Sequence, residues 1–418
     1  MAKLSLLEKI FSITNKGIFK VITILGFSIK IDQTQKYKKI CKALSINKNK
    51  IVFENFKGNS YGCNPKYITE EIIKRKLPYE LVWIVKSVTK EKEMGNFPPE
   101  VRLVSRGGVE ALKELSSAKL WIDNQRKIYY LRRGLEKKDS QYYIQTWHGS
   151  LGIKKVGLDS PLSNVENEWI PFGKQDAEMI DYIISNSDFE TNVFKTNFFG
   201  QGNIKPWGHA RNDIFFKNTE EIDSIKSKIR KFYNIPENKK IMLYIPSFRD
   251  YFNLECFNID TQMLKSALNR RFGGDWVIAI RMHPHLKKYS TELFNFSETV
   301  IDTSFYPDIQ ELLVASDGAI TDYSSCIFDF MLSKKPAFVF ATDIENYNTD
   351  RGFYYPLEST PFPVATNNKE LEQNILNFDN EKYQKEIALF LKDKGCIEDG
   401  HASERIVDLI EKIMKVEV

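Results

Sequence analysis

The fold class follows from residues 50–124, which contain four short apolar runs: KIVFENF at 50–56, ELVWIV at 80–85, VRLVS at 101–105 and KLWIDN at 119–124. Helix-like segments at 68–76 and 109–116 lie between these runs. Such alternation predicts βαβ units and a parallel sheet. A further run, YYIQTW at 142–147, predicts a strand that leads directly into His148 and Gly149.

A second series of apolar runs follows Gly208. These runs are KIMLYI at 240–245, WVIAIRM at 276–282, and residues 299–302, 318–321 and 336–340. At 418 residues the chain is long enough for two α/β domains, each with its own core. We place the junction where Gly, Pro and Asn cluster before Gly208. The predicted division is a basic N-terminal segment at 1–49, a first domain at 50–205 and a second domain at 206–418.

The positive charge of the chain is concentrated at its N-terminal end. The first 50 residues contain eleven lysines and two acidic residues, so this end carries +9 whereas the whole chain carries +5. Apolar residues are interleaved with the lysines, which favours an amphipathic helix on an anionic membrane surface. A helix docked on the first domain is the alternative. Nucleic acid is disfavoured as a partner, because this segment has no arginine and no nucleic-acid-binding signature.

The five cysteines are scattered without a C-x-x-C pair, which suits a reducing compartment. The N-terminus lacks the features of a signal peptide, and no window holds about 18 uninterrupted apolar residues. We therefore expect a cytoplasmic protein that does not span the membrane.

Several common fingerprints are absent from the sequence. It contains no G-x-x-x-x-G-K-[ST] loop, no G-x-G-x-x-G and no D-x-D, which argues against P-loop, dinucleotide and metal-chelated nucleotide-sugar sites. His283 and His285 supply half of a zinc site without further partners. Neither a metal nor another cofactor is predicted.

Polar motifs stand at the carboxyl ends of the predicted strands, where ligands collect in open α/β sheets. These motifs are WHG at 147–149, PSFRD at 246–250, HPH at 283–285 and DYSS at 322–325. Since they come from both halves, we predict a cleft between two domains. An imidazole at His148 or His283 can accept a proton from an attacking hydroxyl or, when charged, stabilise a phosphate.

Ser324 and Ser325 stand at the predicted start of a helix that follows a strand. Unpaired backbone N–H groups and the helix dipole favour an anion at such a position. Helix capping by a serine is the structural alternative. Two adjacent hydroxyls favour phosphate binding.

Taken in order, the motifs resemble the CDP-glycerol glycerophosphotransferase family of teichoic acid and capsule synthesis. The matching segments are QTWHG at 145–149, GHARND at 208–213, YIPSFRD at 244–250, RMH at 281–283, ITDYSS at 320–325, RGFY at 351–354 and DGHASER at 399–405. They span roughly residues 50–410. GHARND replaces the family's usual G-Y-P-R-N-D, which bears on the identity of the acceptor or polyol.

The resemblance implies a GT-B-like α/β fold, in which two Rossmann-like domains face each other across a cleft. It implies transfer of glycerol phosphate from CDP-glycerol to a lipid-linked or oligosaccharide acceptor, with release of CMP. Together with the basic N-terminal segment, it predicts a peripheral protein at the cytoplasmic face of the bacterial membrane. The donor is a substrate, and no cofactor is implied.

The resemblance also implies residue roles. His148 corresponds to the general base and His283 to a catalytic contact with the pyrophosphate. The implied donor-binding residues are Thr321, Asp322, Ser324, Ser325, Arg249 and Arg281, and the acceptor or junction candidates are Trp147, Gly149, Arg211 and Asp213.

Three other functions remain open at this point. CDP-ribitol or another CDP-polyol is the nearest alternative donor, because nothing in the motifs reads the number of carbons. A GT-B glycosyltransferase that uses a nucleotide sugar belongs to a second class, and it would release a nucleoside diphosphate rather than CMP. A non-catalytic scaffold in a surface-polymer complex is the third, and the presence of both histidines disfavours it.

Overall fold

The computed structural model describes residues 11–16, 19–32, 34–160, 169–197, 202–249, 254–283, 286 and 289–416, without the side chains of residues 14–16, 19, 169 and 350. His285, Asp250 and Gly200 of the predicted motifs and junction lie outside the described residues. The strands are β1 (Phe11–Lys16), β2 (Phe19–Ile24), β3 (Phe27–Asp32), β4 (Asn47–Glu54), β5 (Glu80–Val85), β6 (Val101–Ser105), β7 (Ala118–Asp123), β8 (Tyr142–Gln145), β9 (Tyr182–Ser185), β10 (Asn203–Pro206), β11 (Lys239–Ile245), β12 (Asp275–Ile280), β13 (Val300–Asp302), β14 (Gly318–Thr321), β15 (Ala337–Phe340) and β16 (Val364–Ala365).

The helices are α1 (Thr34–Ala43), α2 (Cys63–Lys74), α3 (Val88–Met94), α4 (Val109–Ser117), α5 (Ile128–Leu131), α6 (Trp169–Met179), α7 (Asp188–Thr196), α8 (Thr219–Tyr233), α9 (Thr261–Phe272), α10 (Ser290–Leu293), α11 (Ile309–Ala315), α12 (Cys326–Phe330), α13 (Ile344–Arg351), α14 (Asn368–Leu376), α15 (Asn380–Asp393) and α16 (Ala402–Lys415). Among the described residues, none of these helices is long and apolar enough to cross a membrane.

The first sheet contains seven parallel strands in the order β10-β9-β8-β7-β4-β5-β6. The strands predicted in the first domain are confirmed as β4 to β8. The chain places β5 and β6 on one side of β4 and then returns to place β7 on the other side. This reversal opens a crevice at the carboxyl ends of β4 and β7, where ligands bind in sheets of this kind.

The second sheet repeats this arrangement with six parallel strands in the order β13-β12-β11-β14-β15-β16. The predicted strands after Gly208 are confirmed as β11 to β15. The reversal lies between β11 and β14, so the crevice is at the carboxyl ends of these two strands. The prediction of two α/β halves with parallel sheets is therefore confirmed.

The N-terminal segment differs from the sequence prediction. Residues 11–16 and 19–32 form a separate antiparallel sheet, β1-β2-β3, so the amphipathic helix predicted there is wrong, and the first described helix begins at Thr34. Residues paired directly across antiparallel strands point to the same face. One face accordingly carries Phe11, Ile13, Ile22, Ile24, Phe27, Ile29 and Ile31.

Two local features explain why this segment forms strands. In β3 the apolar residues recur at every second position, which is the period of a strand rather than of a helix. Leu25 and Gly26 have positive φ angles of 49° and 85°, as the two-residue turns that join antiparallel strands require. On the opposite face, the hydroxyls of Thr23 and Ser28 are hydrogen-bonded at 2.9 Å.

The C-terminal helix α16 packs on the first domain. Its Ile406 and Ile410 are buried in one apolar core with Ile68 and Ile72 of α2. The predicted domain boundary at residue 205 stays a prediction, and the structure adds that the last helix of the chain returns to the first sheet.

Candidate functional site

His148 lies in the loop after β8, at the crevice of the first sheet. Its Nδ1 is 2.6 Å from the backbone carbonyl oxygen of Asn124. Because a carbonyl oxygen only accepts, Nδ1 carries the hydrogen and donates it, and in the neutral ring Nε2 bears the lone pair. The rings of Phe56 and Trp147 flank the imidazole at centroid distances of 5.3 and 4.4 Å. The ring is thus held in the tautomer that accepts a proton at Nε2.

The electrostatic surroundings keep His148 neutral. Burial lowers the pKa of His148 to about 4, and the charges of Arg211, Lys154 and Lys57 act in the same direction. The hydrogen bond to Asn124 opposes this shift of the pKa. At physiological pH the ring carries no charge, which is the state that a general base requires.

Two buried side chains hold the loop after β8. Trp147 has a positive φ of 50°, a conformation that persists in a non-glycine residue only where its surroundings impose it. Asn64 donates from Nδ2 to the carbonyl oxygens of Thr146 and Trp147, both at 3.1 Å. Arg211 donates from Nη2 to the carbonyl oxygen of Gly149 at 2.6 Å. Trp147 and Gly149 therefore belong to the loop that orients His148.

Arg211 and Asp213 were both predicted as acceptor or junction residues, and the structure separates them. Arg211 is 2% exposed, and its Nε donates to Oδ2 of Asp329 at 2.9 Å, so it links the His148 loop to α12 of the second domain. The carboxylate of Asp213 accepts from the backbone N–H groups of Ala402 and Ser403 at 3.0 and 2.7 Å. Asp213 therefore satisfies the first turn of α16 rather than facing the crevice.

Ser324 and Ser325 form the turn between β14 and α12, at the crevice of the second sheet. Both residues are half-buried. Ser325 occupies the N-cap position of α12, but its side chain makes no capping hydrogen bond. The hydroxyl is therefore not used as a helix cap. A Cβ atom on Gly152 would lie 3.0 Å from Cβ of Ser325, so a segment that starts in the first domain passes directly over this turn.

A buried network lies beneath the serine turn. Arg249 donates from Nε and Nη2 to the carboxylate of Asp343 at 2.6 and 2.9 Å, and from Nη1 to Asp322 at 2.8 Å. Asp322 also accepts from the backbone N–H of Ser247 at 2.9 Å. The hydroxyl of Thr321 donates to the carbonyl oxygen of Ile245. Three of the predicted donor-binding residues, Arg249, Asp322 and Thr321, thus lie beneath the serine turn and hold it in place.

Arg281 and His283 follow β12 at the same edge of the second sheet. Arg281 donates from Nη1 to the carbonyl oxygens of Thr303 and Tyr306 at 3.0 and 2.8 Å, and burial lowers its pKa. The ring of His283 is half-buried, 5.6 Å from the ring of Phe248. His283 therefore lies in the loop next to the one that starts at Ile245, while its predicted partner His285 lies outside the described residues.

Residues 149–156, which we call the interdomain segment, connect the two crevices. Its Leu151 and Ile153 are buried in the core of the second sheet. The backbone N–H of Tyr354 donates to the carbonyl oxygen of Ile153 at 2.7 Å, and that of Lys155 donates to Gly352 at 3.0 Å. The loop that carries His148 is thereby attached to the domain that carries Ser324 and Ser325.

Sequence reasoning missed Asn64, Asn124 and Lys154. Asn64 donates to backbone oxygens far away in the sequence, and the backbone carbonyl oxygen of Asn124 accepts from the distant His148 ring, so no local pattern identifies either residue. A signal for Lys154 was present, because it lies shortly after the WHG motif in the same strand-end segment. Within the part of the chain that the structure describes, no group of three or more His, Cys, Asp and Glu residues is arranged to hold a metal ion.

Comparisons with curated proteins agree on one family. The sequence matches the family described as CDP-Glycerol:Poly(glycerophosphate) glycerophosphotransferase over residues 36–412. A teichoic acid poly(glycerol phosphate) polymerase of Staphylococcus epidermidis is 33% identical over 377 residues, covering 87% of this chain and 51% of that protein. A teichoic acid glycerol-phosphate transferase of Staphylococcus aureus is 32% identical over 389 residues, covering 88% of this chain and 94% of that protein. A teichoic acid ribitol-phosphate primase of Bacillus spizizenii is 31% identical over 292 residues, covering 66% of this chain and 71% of that protein.

Solved structures agree on the fold. The wall teichoic acid polymerase TagF matches with a TM-score of 0.77 at 30% identity, over 92% of this chain and 94% of that chain. A UDP co-structure of MnaA from S. aureus, at 14% identity and a TM-score of 0.52, covers 88% of this chain and 98% of that chain and is similar in fold alone. The GT-B-like α/β fold is thereby confirmed. This chain spans about half the length of the S. epidermidis polymerase and of a Bacillus subtilis polymerase of the same name. From the extent of these matches, the chain belongs to the CDP-glycerol:poly(glycerophosphate) glycerophosphotransferase family.

Proposed function

We propose that this chain transfers glycerol phosphate from CDP-glycerol to an acceptor hydroxyl in teichoic acid or capsular polymer synthesis and releases CMP. The observation that carries the proposal is the neutral imidazole of His148, oriented by Asn124 so that Nε2 can accept a proton. Family membership and relatives named as glycerol-phosphate transferases and polymerases support the same reaction.

In the proposed reaction the acceptor hydroxyl attacks the phosphorus that bears the glycerol unit. A P–O bond forms to the acceptor oxygen, and the proton of the hydroxyl passes to Nε2 of His148. The P–O bond to CMP breaks, and its electron pair leaves on the CMP phosphate oxygen. Phosphoryl-type transfer requires mainly positioning and charge stabilisation from a protein. The hydroxyls of Ser324 and Ser325 and the imidazole of His283 supply these on the donor side.

Two exposed lysines favour an anionic acceptor on the side of the first domain. Lys57 and Lys86 follow β4 and β5, and the backbone N–H of Lys86 donates to the carbonyl oxygen of Gly58 at 2.8 Å, so their loops are adjacent. Neither ammonium pairs with a carboxylate of the described residues. Lys57 also contributes to lowering the pKa of His148. We therefore assign the acceptor, a lipid-linked or oligosaccharide precursor, to this side of His148.

CDP-ribitol is the second candidate donor. A ribitol-phosphate primase of B. spizizenii is nearly as similar in sequence as the glycerol-phosphate relatives. The two donors carry the same phosphate groups and differ in the length of the polyol. The phosphate-binding residues described above therefore suit both.

The N-terminal sheet supports a location at the cytoplasmic face of the membrane. On its apolar face, the side chains of Phe27 and Ile29 are 81% and 59% exposed, far more than is usual for residues of this type. The same end of the chain carries the excess of lysines, which anionic lipids attract. A lipid-linked acceptor would be presented at this surface.

The donor is tested by incubating the purified chain with a lipid-linked acceptor and either CDP-glycerol or CDP-ribitol. We expect release of CMP with CDP-glycerol. Release with CDP-ribitol alone would establish the alternative polyol, and release of a nucleoside diphosphate from nucleotide sugars would indicate a glycosyltransferase. No release with any donor would contradict a transferase.

The membrane location is tested by sedimentation with anionic vesicles. We expect the double variant Phe27→Ser with Ile29→Ser to bind these vesicles more weakly than the unmodified chain. Leu389→Ser is the matched control, because Leu389 is 68% exposed on α15, outside the N-terminal sheet. Equal binding by all three proteins would contradict the proposed role of the sheet.

A further inference from the structure

Lys154 is a cation of the interdomain segment that the proposed reaction leaves without a role. Its backbone forms an antiparallel bridge with Phe353 of the second domain. In an extended segment the side chains alternate between two faces. Since Leu151 and Ile153 enter the core of the second sheet, Lys154 shares the opposite face with Gly152, which lies against Ser325. Lys154 therefore shares the face that the segment presents to the serine turn at Gly152.

The electrostatic contacts of Lys154 extend to both crevices. Its charge helps to lower the pKa of His148 in the first domain. Burial raises the pKa of Cys326, the residue after Ser325, to about 12, and Lys154 is among the groups that oppose that shift. Nζ of Lys154 lies 5.9 Å from the centroid of the Tyr347 ring. The charge of Lys154 is thus near enough to act on both the candidate base and the residue that follows the serine turn.

Lys154 is half-buried, and its ammonium has no carboxylate of its own. Burial lowers its pKa, and Asp322 is the acidic group that opposes this effect. The carboxylate of Asp322 already accepts from the backbone of Ser247 and from Arg249. Across the ranges that the structure describes, no ion pair is formed by Lys154. A charge that is partly removed from water without a partner is costly, and an anionic ligand would provide the missing partner.

We propose that Lys154 binds the phosphate that carries the polyol in the CDP-activated donor, on the side that faces His148. This assignment rests on the proposed function. The ammonium neutralises charge on the non-bridging oxygens of this phosphate while the acceptor oxygen attacks and CMP leaves, and it keeps its own protons throughout. Because Lys154 shares a segment with the His148 loop, the same contact positions the reacting phosphorus relative to the base.

The test compares Lys154→Met with Lys154→Arg and with the neighbouring change Lys155→Gln, which removes a charge from the other face of the segment. Donor binding is measured by calorimetric titration with CDP-glycerol and with CMP, which lacks the proposed phosphate. We expect Lys154→Met to lower the affinity for CDP-glycerol by ~10-fold or more, because one charge-assisted contact is lost. The affinity for CMP should stay within about twofold of that of the unmodified chain. Lys154→Arg should restore most of the binding, and Lys155→Gln should resemble the unmodified chain.

Turnover and thermal melting complete the test. We expect Lys154→Met to lower kcat/KM for CDP-glycerol ~100-fold or more, because the contact also acts in the transition state. Without ligand, the melting temperature of Lys154→Met should equal or exceed that of the unmodified chain, since a half-buried charge without a carboxylate partner is removed. If the methionine variant does not fold, Lys154→Gln replaces it, with the same selective loss expected.

Two results would overturn the assignment. One is unchanged affinity of folded Lys154→Met, or of Lys154→Gln in its place, for CDP-glycerol, and the other is an equal loss of affinity for CDP-glycerol and CMP. Failure of the unmodified chain to release CMP would instead contradict the proposed function. The titrations would still report whether Lys154 recognises the second phosphate.

Discussion

Arg249 in the second domain and Lys57 and Lys86 in the first domain are all cations that follow strands, but their surroundings are opposite. After β11, Arg249 is only 4% exposed, and its guanidinium is paired with two carboxylates. After β4 and β5, Lys57 and Lys86 are exposed, and among the described residues neither has a carboxylate partner. A buried guanidinium with two partners stabilises the turn above it, whereas an open ammonium is available to a ligand.

This difference changes the role assigned to Arg249. At the end of a predicted strand, an arginine and a lysine both suggest contact with an anion. The structure places the Arg249 guanidinium 4.8 Å from the ring centroids of both Tyr323 and Tyr347, in addition to its two ion pairs. Its charge is thus already compensated by protein groups. We therefore propose that the serines above it and the lysines across the cleft are the residues that approach the ligand.

The largest effect is expected from His148→Ala, which removes the proposed base on the side of the open lysines. Turnover should fall by roughly 10²- to 10⁴-fold, the usual contribution of a general base, while the affinity for CDP-glycerol changes little. His401→Ala is the matched control, because this imidazole is exposed near the start of α16. Turnover within tenfold of the unmodified chain would contradict the role of His148 as the base.

The next effect tests the paired cation. Arg249→Met removes the guanidinium that compensates the buried carboxylates of Asp322 and Asp343, which should cost about 3–5 kcal/mol of unfolding free energy. Urea denaturation measures this loss, and Lys57→Met should lie within about 0.5 kcal/mol of the unmodified chain, as surface changes do. A normally stable Arg249→Met that has lost only donor affinity would restore Arg249 as a direct anion contact.

The serine turn should show an effect on binding rather than on stability. Changing Ser324 and Ser325 together to Ala removes the two hydroxyls that we propose as donors to the pyrophosphate, each worth on the order of 1.5–3 kcal/mol, so donor affinity should fall ~100-fold or more. Titration of CDP-glycerol measures the affinity, and Ser359→Ala provides a control at an exposed serine. An unchanged dissociation constant in the folded double variant would exclude these hydroxyls from the donor site.

A smaller effect is expected from the open lysines. Lys57→Gln combined with Lys86→Gln should raise KM for an anionic acceptor by ~10-fold and leave donor affinity unchanged, because exposed ion pairs contribute little individually. The increase should shrink at high salt, where exposed charges are screened. A rise in the donor dissociation constant instead would place these lysines at the donor site.

The smallest effect is expected in the pH dependence of kcat/KM. His148 acts as a base only when it is unprotonated, and its pKa is lowered to about 4. We therefore expect kcat/KM to decline through protonation of His148 only as the pH falls through about 4. If His148 had the usual histidine pKa near 6.5, kcat/KM would already decline as the pH falls below about 6.5. Because the pKa of His148 is lower in the folded than in the unfolded chain, its neutral form stabilises the fold. This contribution to the unfolding free energy is fully present above pH 6.5 and is lost as the pH falls toward 4. The lowered pKa would be contradicted if the pH profile of kcat/KM declined below about 6.5 and this decline disappeared in a His148 variant with measurable turnover.

Local periodicity explains which features could be predicted from the sequence. Strands β4 to β8 and β11 to β15 are short apolar runs bounded by polar motifs, and a strand buried on both faces needs no more than that to be recognised. The carboxyl ends of such strands lie at one edge of a parallel sheet. His148, His283, Ser324 and Ser325 could therefore be placed in strand-end loops without knowledge of their neighbours.

The N-terminal segment shows where this reasoning failed. Composition alone, apolar residues mixed with lysines, suits either a helix or a strand on a surface. The alternation within β3 and the positive φ angles of Leu25 and Gly26 favour strands, but pairing across three strands is needed to complete the sheet. Short segments of this kind are ambiguous until their partners are known.

The sequence by itself determined two parallel α/β halves, the strand-end loops and the residue types available in them, because these depend on short-range patterns of apolar and polar residues. Only the tertiary structure decided that Arg211 holds the His148 loop, that Asp213 serves α16 and that Arg249 is buried between carboxylates. It also decided that Lys154 is bridged to Phe353 of the second domain, in the segment that connects the two crevices. The physical reason is that the role of a charge depends on whether it is paired, and the partners of these residues lie far away in the sequence.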